Sequence, residues 1–210
     1  MLVNMTSGVE ARYPTGQWLV PRAGTPWWFD SGSLALDFAY TGDAGDPDGT
    51  DWSSIDDAVG LGRWLSERFS TTDQPMAESE FHDAVTLRNT IGHLARTAAH
   101  GSALSANDID IINLFAATPD LPPALEGGSK QAGRSVPLVR QALATIARDA
   151  VHLFGPQVNG HIRECAAQDC HCVYLDTSRS ANRRWCSMQR CGNRAKVRAH
   201  RERVVRAPHS

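Results

Sequence analysis

Two cysteine pairs constrain this chain more than any other feature. Four residues separate Cys165 from Cys170 and Cys186 from Cys191, and fifteen residues join the pairs. All five cysteines of the 210-residue chain lie between Cys165 and Cys191. An odd number in one cluster speaks against a disulfide framework and for a metal. The N-terminus, MLVNMTSGVEARYPTG, has neither the basic start nor the apolar middle of an export signal, and the expected compartment is the cytoplasm. Two close pairs joined by such a loop are the layout of a structural zinc site, each pair giving two corners of a tetrahedron. Four protein ligands would leave no open position for water or substrate, so one structural zinc ion, not a catalytic one, is expected. The ion supplies folding free energy that fewer than about fifty residues of low apolar content lack. His171 and Cys172 are spare donors. A Cys170/Cys172 exchange, or His171 as fourth ligand, would break the symmetry of the pairs and is the weaker arrangement. Thiolate redox chemistry would want a reachable pair at CxxC spacing, which this is not.

Charge divides the chain at about the same place. Residues 161–210 hold eleven Arg and Lys against four Asp and Glu, a balance of +7, whereas the preceding 160 residues carry −9. The formal net charge of −2 conceals this. An acidic body with a basic end implies two modules with different partners, the basic one suited to nucleic acid. A basic end that docks on its own acidic body is the plainer alternative. No apolar run approaches the roughly 18 residues of a membrane span, so no membrane partner is expected.

The body reads as helical. WWFDSGSLALDFAYTG (Trp27 to Gly42) suits a short strand followed by a helix or a second strand. The acids of the next loop (Asp43, Asp46, Asp48, Asp51) lack the spacing and distant Glu of a calcium loop. Ser54 and Asp57 read as a capping pair ahead of Ala58, Leu61, Leu65 and Phe69. Phe81, Ala84, Leu87, Ile91, Leu94 and Ala98 make one stripe over Ser79 to Ala99, stopped by Gly101. Ser105 and Asp108 repeat the capping logic before Ile109, Ile112 and Phe115, and Pro119 closes that helix. Residues 119–135 form a loop with room for a hairpin. A last long helix runs from Val136 to Phe154 through Val139, Leu143, Ile146 and Ala150. The expected fold is mainly α: a bundle of about four helices with room for a short strand pair, then a small four-cysteine finger. The body's apolar stripes are expected to stand without the metal. His82, His93, His100 and His152 form no pair at metal-ligand spacing, and no catalytic constellation appears; the chain is not read as an enzyme.

Within the finger, Val173 to Leu175 can form a strand, and Asp176 with Ser178 can bond backbone in a turn. Arg179, Arg183 and Arg184 project from the loop that follows, with Trp185 as the apolar plug beside the metal. Asn193 reads as an N-cap for a helix over about 194–205. On it Arg194, Arg198 and Arg201 share one stripe, Lys196 and Arg203 lie opposite, and Val197 and Val204 form a narrow packing face. From Arg194 to Arg206 there are six cations and one acid, an imbalance a merely solvated tail does not need.

CAAQDC, LDTSR, RRWCSM and CGNRAK, in that order, closely resemble the CGNR zinc finger, named for the residues standing here as Cys191-Gly192-Asn193-Arg194. That finger follows an all-helical ABATE domain in bacterial proteins described as stress-induced transcription regulators. SLALDFAYTG (Ser33 to Gly42) resembles the family's Leu-Asp-Phe-x-Asn-Thr signature, with Tyr40 where the family favours asparagine. The resemblance implies Cys165, Cys170, Cys186 and Cys191 as zinc ligands. It also implies an ABATE-like domain over 1–158 for sensing or dimerisation, a finger over 159–206 and a tail over 207–210. Asp37, inside the signature, is expected either to anchor buried hydrogen bonds or to contact a ligand. The leading functional expectation is a zinc-dependent DNA-binding regulator that grips phosphates through Arg179, Arg183, Arg184, Arg194, Lys196, Arg198 and Arg201. Its helical body would bind a small-molecule effector, form a homodimer, or both. RNA binding ranks lower, because the finger offers only Tyr174 and Trp185 for stacking. Docking on an acidic protein, or a helical enzyme with an accessory finger, are the remaining alternatives.

Overall fold

A computed structural model describes residues 13–21, 24–44, 52, 54–69, 76–121 and 137–206. Gln17–Leu19 (β1) and Trp27–Phe29 (β2) pair antiparallel, with Leu19 opposite Trp27. Strand alternation buries Trp27 and Phe29 and turns Trp28 outward. Helix α1 (Leu34–Ala39) follows, then α2 (Ala58–Phe69), α3 (Glu78–Ala99), α4 (Ala106–Ala117) and α5 (Val139–Phe154). The finger adds β3 (His161–Glu164) antiparallel to β4 (Val173–Asp176), one π-helical turn (Met188–Gly192) and α6 (Asn193–Arg206). Mainly α with short strand pairs is the class the sequence implied.

The body is organised around α1, all six residues of which are buried. So short a helix satisfies little of its own backbone and must be held from outside. Ser33 caps its start, and Asp149 of α5 accepts from the Ser33 hydroxyl at 2.7 Å and from Ala35 N–H at 2.8 Å. Around it, α3 and α5 turn Leu87, Ile91 and Leu94, and Leu143, Ile146 and Ala150, into the core. The cap of α2 differs from expectation. Asp57, not Ser54, receives Gly60 N–H at 2.7 Å, because the chain becomes helical only at Ala58. Helix α3 stops at Gly101 (φ +67), as its sequence implied, and Ser105 accepts Asp108 N–H ahead of α4. Helix α4 keeps only Ile112 buried, and Ile109 is exposed. The expected hairpin within 119–135, Asp46, Asp48 and Asp51 of the acidic loop, and the 207–210 tail lie outside the described residues.

Strand β4 joins the finger to this core. Leu175 N–H donates to Ser31 O at 2.8 Å. The Tyr40 hydroxyl both donates to Val173 O (2.9 Å) and accepts from Val173 N–H (2.6 Å). Gly32 (φ +80) makes the approach feasible, since a Cβ there would stand 2.7 Å from Leu175 O. One apolar cluster runs from Phe29 and Phe38 through Tyr174 to the cysteines. The metal-bearing segment and α1 thus share hydrogen bonds and a core, a connection between finger and body that the sequence did not imply.

Candidate metal centre and nucleic-acid interface

The hairpin β3–β4 carries Cys165 and Cys170 on the knuckle between its strands, and Cys186 and Cys191 arrive on the loop and π turn that follow. The four Sγ atoms lie within 4.8 Å of one another, and all four residues are buried. Cys186 Sγ stands 3.6 Å from that of Cys170 and 3.5 Å from that of Cys191. A tetrahedral zinc–thiolate site with bonds of about 2.3 Å has edges of roughly 3.8 Å, so the cluster fits the ion. It also has outer donors: Cys186 N–H points to Cys165 Sγ at 3.4 Å and Arg194 Nη2 to Cys191 Sγ at 3.2 Å. Such donors stabilise thiolate charge and fix ligand orientation. Within the cluster, hydrogen bonds from Cys165, Cys172 and Cys186 draw the Cys170 thiol down, whereas bonds from Cys165, Cys170, Cys172 and Cys191 push the Cys186 thiol up; ligation would require all four as thiolates. The spare donors stand apart. Cys172 is outside the four-sulfur group, and its bond to Cys170 together with burial raises its thiol pKa well above normal. His171 turns its Nδ1 to Glu164 at 2.8 Å, and Glu164 also meets His100, just past the end of α3, at 2.9 Å. The four thiols fit one structural zinc ion, and among the described residues no further His, Cys, Asp or Glu joins the cluster.

Asp176 sets the shape of the arginine loop. Its Oδ1 accepts Ser178 N–H at 3.0 Å, its Oδ2 accepts Arg183 N–H at 3.0 Å, and Arg163 stands 3.5 Å away. Burial works to raise the Asp176 pKa, but the hydrogen bonds from Ser178 and Arg183 and the Arg163 charge outweigh it and hold the carboxyl below its ordinary value. The turn expected at Asp176 and Ser178 is present, and it extends to position Arg183.

The basic residues divide into two groups. Arg183 faces inward: Nε donates to Trp185 O (3.1 Å), Nη2 to Cys186 O and to Asp30 O (2.9 Å), and the guanidinium lies 4.1 Å over the Tyr174 ring. Expected among the phosphate contacts, Arg183 here directs its Nε and Nη2 to carbonyls and clips the loop to Asp30. Arg194 is exposed, yet it also donates to Cys191 Sγ and pairs with Asp169 at 3.0 Å. Arg179, Arg184, Lys196, Arg198 and Arg201 are exposed. Arg184 rests 5.2 Å from the Trp185 ring centre, and Arg198 reaches Gln168 at 3.3 Å. Two expectations for α6 change. Asn193 is already helical (φ −67°, ψ −41°), because the run begins one π turn earlier, after the extended Ser187. Val197 is 49% exposed and does not pack; Ala195 and Ala199 instead line a groove of about 220 Å³ against Ala166 and Asp169. Arg190 stacks 3.8 Å over Trp27, a contact with no signal in the local sequence.

In the body, Asp37 is fully buried and both its oxygens are engaged: Oδ2 accepts Gly16 N–H and Oδ1 the Ser31 hydroxyl, each at 2.6 Å. That is the anchor geometry of the two roles expected of it. Burial dominates its titration and raises its pKa to about 7 despite those donors and the charge of Arg68. Tyr40 carries a hydroxyl that reaches the finger. No sequence period could have signalled that contact, since its partner lies 133 residues away.

Comparison with known families agrees with this geometry. The CGNR zinc finger matches residues 161–204, and the ABATE family, described as "Putative stress-induced transcription regulator", matches residues 32–156. No curated protein matches the chain. Among the described residues, no helix is long and apolar enough to cross a membrane.

Proposed function

We propose, on the premise that this chain belongs to the ABATE family and carries a CGNR zinc finger, that it is a zinc-dependent DNA-binding transcription regulator of the cytoplasm. Its ligands for the ion are Cys165, Cys170, Cys186 and Cys191. The observation that carries the reading is α6: a helix with six cations and one acid between Arg194 and Arg206, rooted in the four-thiol centre. The metal fixes the base of that helix, and Arg194 links its first turn to Cys191 and Asp169. Lys196, Arg198 and Arg201 then form the phosphate-gripping set, joined by Arg179 and Arg184 from the loop. Arg183 and Arg194 serve as positioning residues. The helical body, fused to the finger through β4, is where a small-molecule effector or a second copy of the chain would act on DNA affinity.

The test compares three variants on duplex DNA across a salt series. Arg198→Ala is expected to weaken all sequences alike and to flatten the log–log salt slope by about one unit. Arg184→Ala, which removes a phosphate contact from the loop, is expected to weaken binding in the same sequence-independent way. Arg183→Ala should instead lower thermal stability, because three carbonyls lose their donor. If neither Arg198→Ala nor Arg184→Ala changes binding to any duplex, the DNA reading fails and an acidic protein partner replaces it.

A further inference from the structure

A cleft of about 530 Å³ opens where the body meets the finger, walled by Trp28 and Asp30 on one side and by Asn182, Arg184, Trp185 and Met188 on the other. Its two tryptophans are seated on glycines. A Cβ at Gly16 (φ +97) would collide with the Trp28 ring. One at Gly192 would stand 2.7 Å from Met188 Sδ and 3.3 Å from Trp185 Cδ1. Trp18 braces Trp28 edge-on, with ring centres 5.7 Å apart. Both hairpin rings face solvent, Trp28 being 43% and Trp18 62% exposed, so the core does not account for them. Large exposed aromatics held rigidly are a recognition feature more than a packing one. Beside Trp185 stands the exposed Arg184 guanidinium, and opposite it the Asp30 carboxylate.

We infer that this cleft is a subsite for one unstacked nucleobase and its phosphate. The flat tryptophan walls accept a heteroaromatic face of any sequence, and Arg184 takes the phosphate. Asp30, an acceptor only, repels phosphate from the body side and so orients the strand, while the Asn182 amide offers a hydrogen bond to a base edge. The volume lies within the range of small-ligand sites. A paired base inside a duplex cannot enter, so the preferred substrate carries an unpaired nucleotide beside the duplex that the finger grips. The inference rests on the nucleic-acid reading above, and it adds the body's own hairpin to the interface.

Its test measures the zinc-loaded full-length chain on four labelled probes: a blunt duplex, the same duplex with a short single-stranded overhang, the same with an abasic overhang, and a single-stranded oligonucleotide. The abasic probe keeps the phosphates and removes the bases. The expected result is roughly tenfold tighter binding to the base-bearing overhang than to the abasic one. Trp28→Ala should abolish that difference, Trp28→Phe should restore most of it, and Arg184→Ala, which leaves the hairpin intact, should reduce binding to the overhang and single-strand probes. Adenosine monophosphate that erases the difference at micromolar levels identifies a free nucleotide as the occupant; failure to compete identifies the strand. Equal binding of base-bearing and abasic overhangs, or a difference that survives Trp28→Ala, overturns the inference while leaving duplex binding intact. Absence of any duplex binding would fail the DNA reading instead. The single-strand probe, compared between the natural chain and Trp28→Ala, still decides the cleft: equal binding by the two overturns it.

Discussion

Asp37 has both carboxylate oxygens in hydrogen bonds, yet burial raises its pKa from the ordinary 3.8 to about 7. Between those values the folded chain holds a proton that the unfolded chain has released, so stability falls as pH rises through this window. The contribution is complete below pH 3.8 and is lost above about 7, a change on the order of a few kcal/mol. Asp37→Asn is expected to flatten the pH dependence of the melting temperature between pH 4 and pH 7; an unchanged slope would show that another group sets it. Tyr40 gives a second prediction. Tyr40→Phe keeps the ring against Phe29 but leaves Val173 N–H and C=O without their buried partner, at a cost of about 1–3 kcal/mol. Denaturant melts would register the loss, and a stability equal to that of the natural chain would mean the hydroxyl is not the clip described. The LDF run drew attention to Asp37 in the sequence, but its partners Gly16 and Ser31 had no signature, because each contributes a single N–H or hydroxyl.

At the scale of elements, β4 is where finger and body become one structure, and Gly32 is the tightest point of that contact. Gly101 provides a matched comparison, since both glycines have positive φ but a Cβ at Gly101 meets nothing within 4 Å. Gly101→Ala should cost about 1 kcal/mol of backbone strain. Gly32→Ala should cost at least about 2 kcal/mol more, because its Cβ would press on Leu175 O in addition. Equal losses would mean that β4 can retreat without penalty. The helices themselves were legible from apolar period and caps: α3 and α5 fall within a few residues of expectation. The exceptions have local causes. Asp57 captures the cap of α2 that Ser54 was expected to supply, and the π turn places Cys191 one turn inside the helical run instead of before it.

Across the whole molecule, the cysteine spacing and the charge asymmetry carried most of what the sequence could say. Four thiols within 4.8 Å and an exposed cationic α6 are what those patterns imply. What stayed hidden is long-range: the Tyr40–Val173 clip, Arg190 on Trp27, and the cleft that Trp28 and Trp185 both line, each involving residues more than 130 positions apart. Contacts within the finger likewise distinguish arginines that sequence alone groups together, since Arg183 bonds carbonyls and Arg194 bonds Cys191 and Asp169. The central claim is that zinc organises a finger whose basic surface binds DNA. Fluorescence anisotropy of a labelled duplex tests it most directly, with the chain zinc-loaded, chelated and reloaded, at low and at physiological salt. The account predicts binding that weakens steeply with salt, disappears on chelation and returns with zinc. Duplex affinity that is unchanged after the metal is removed would contradict it.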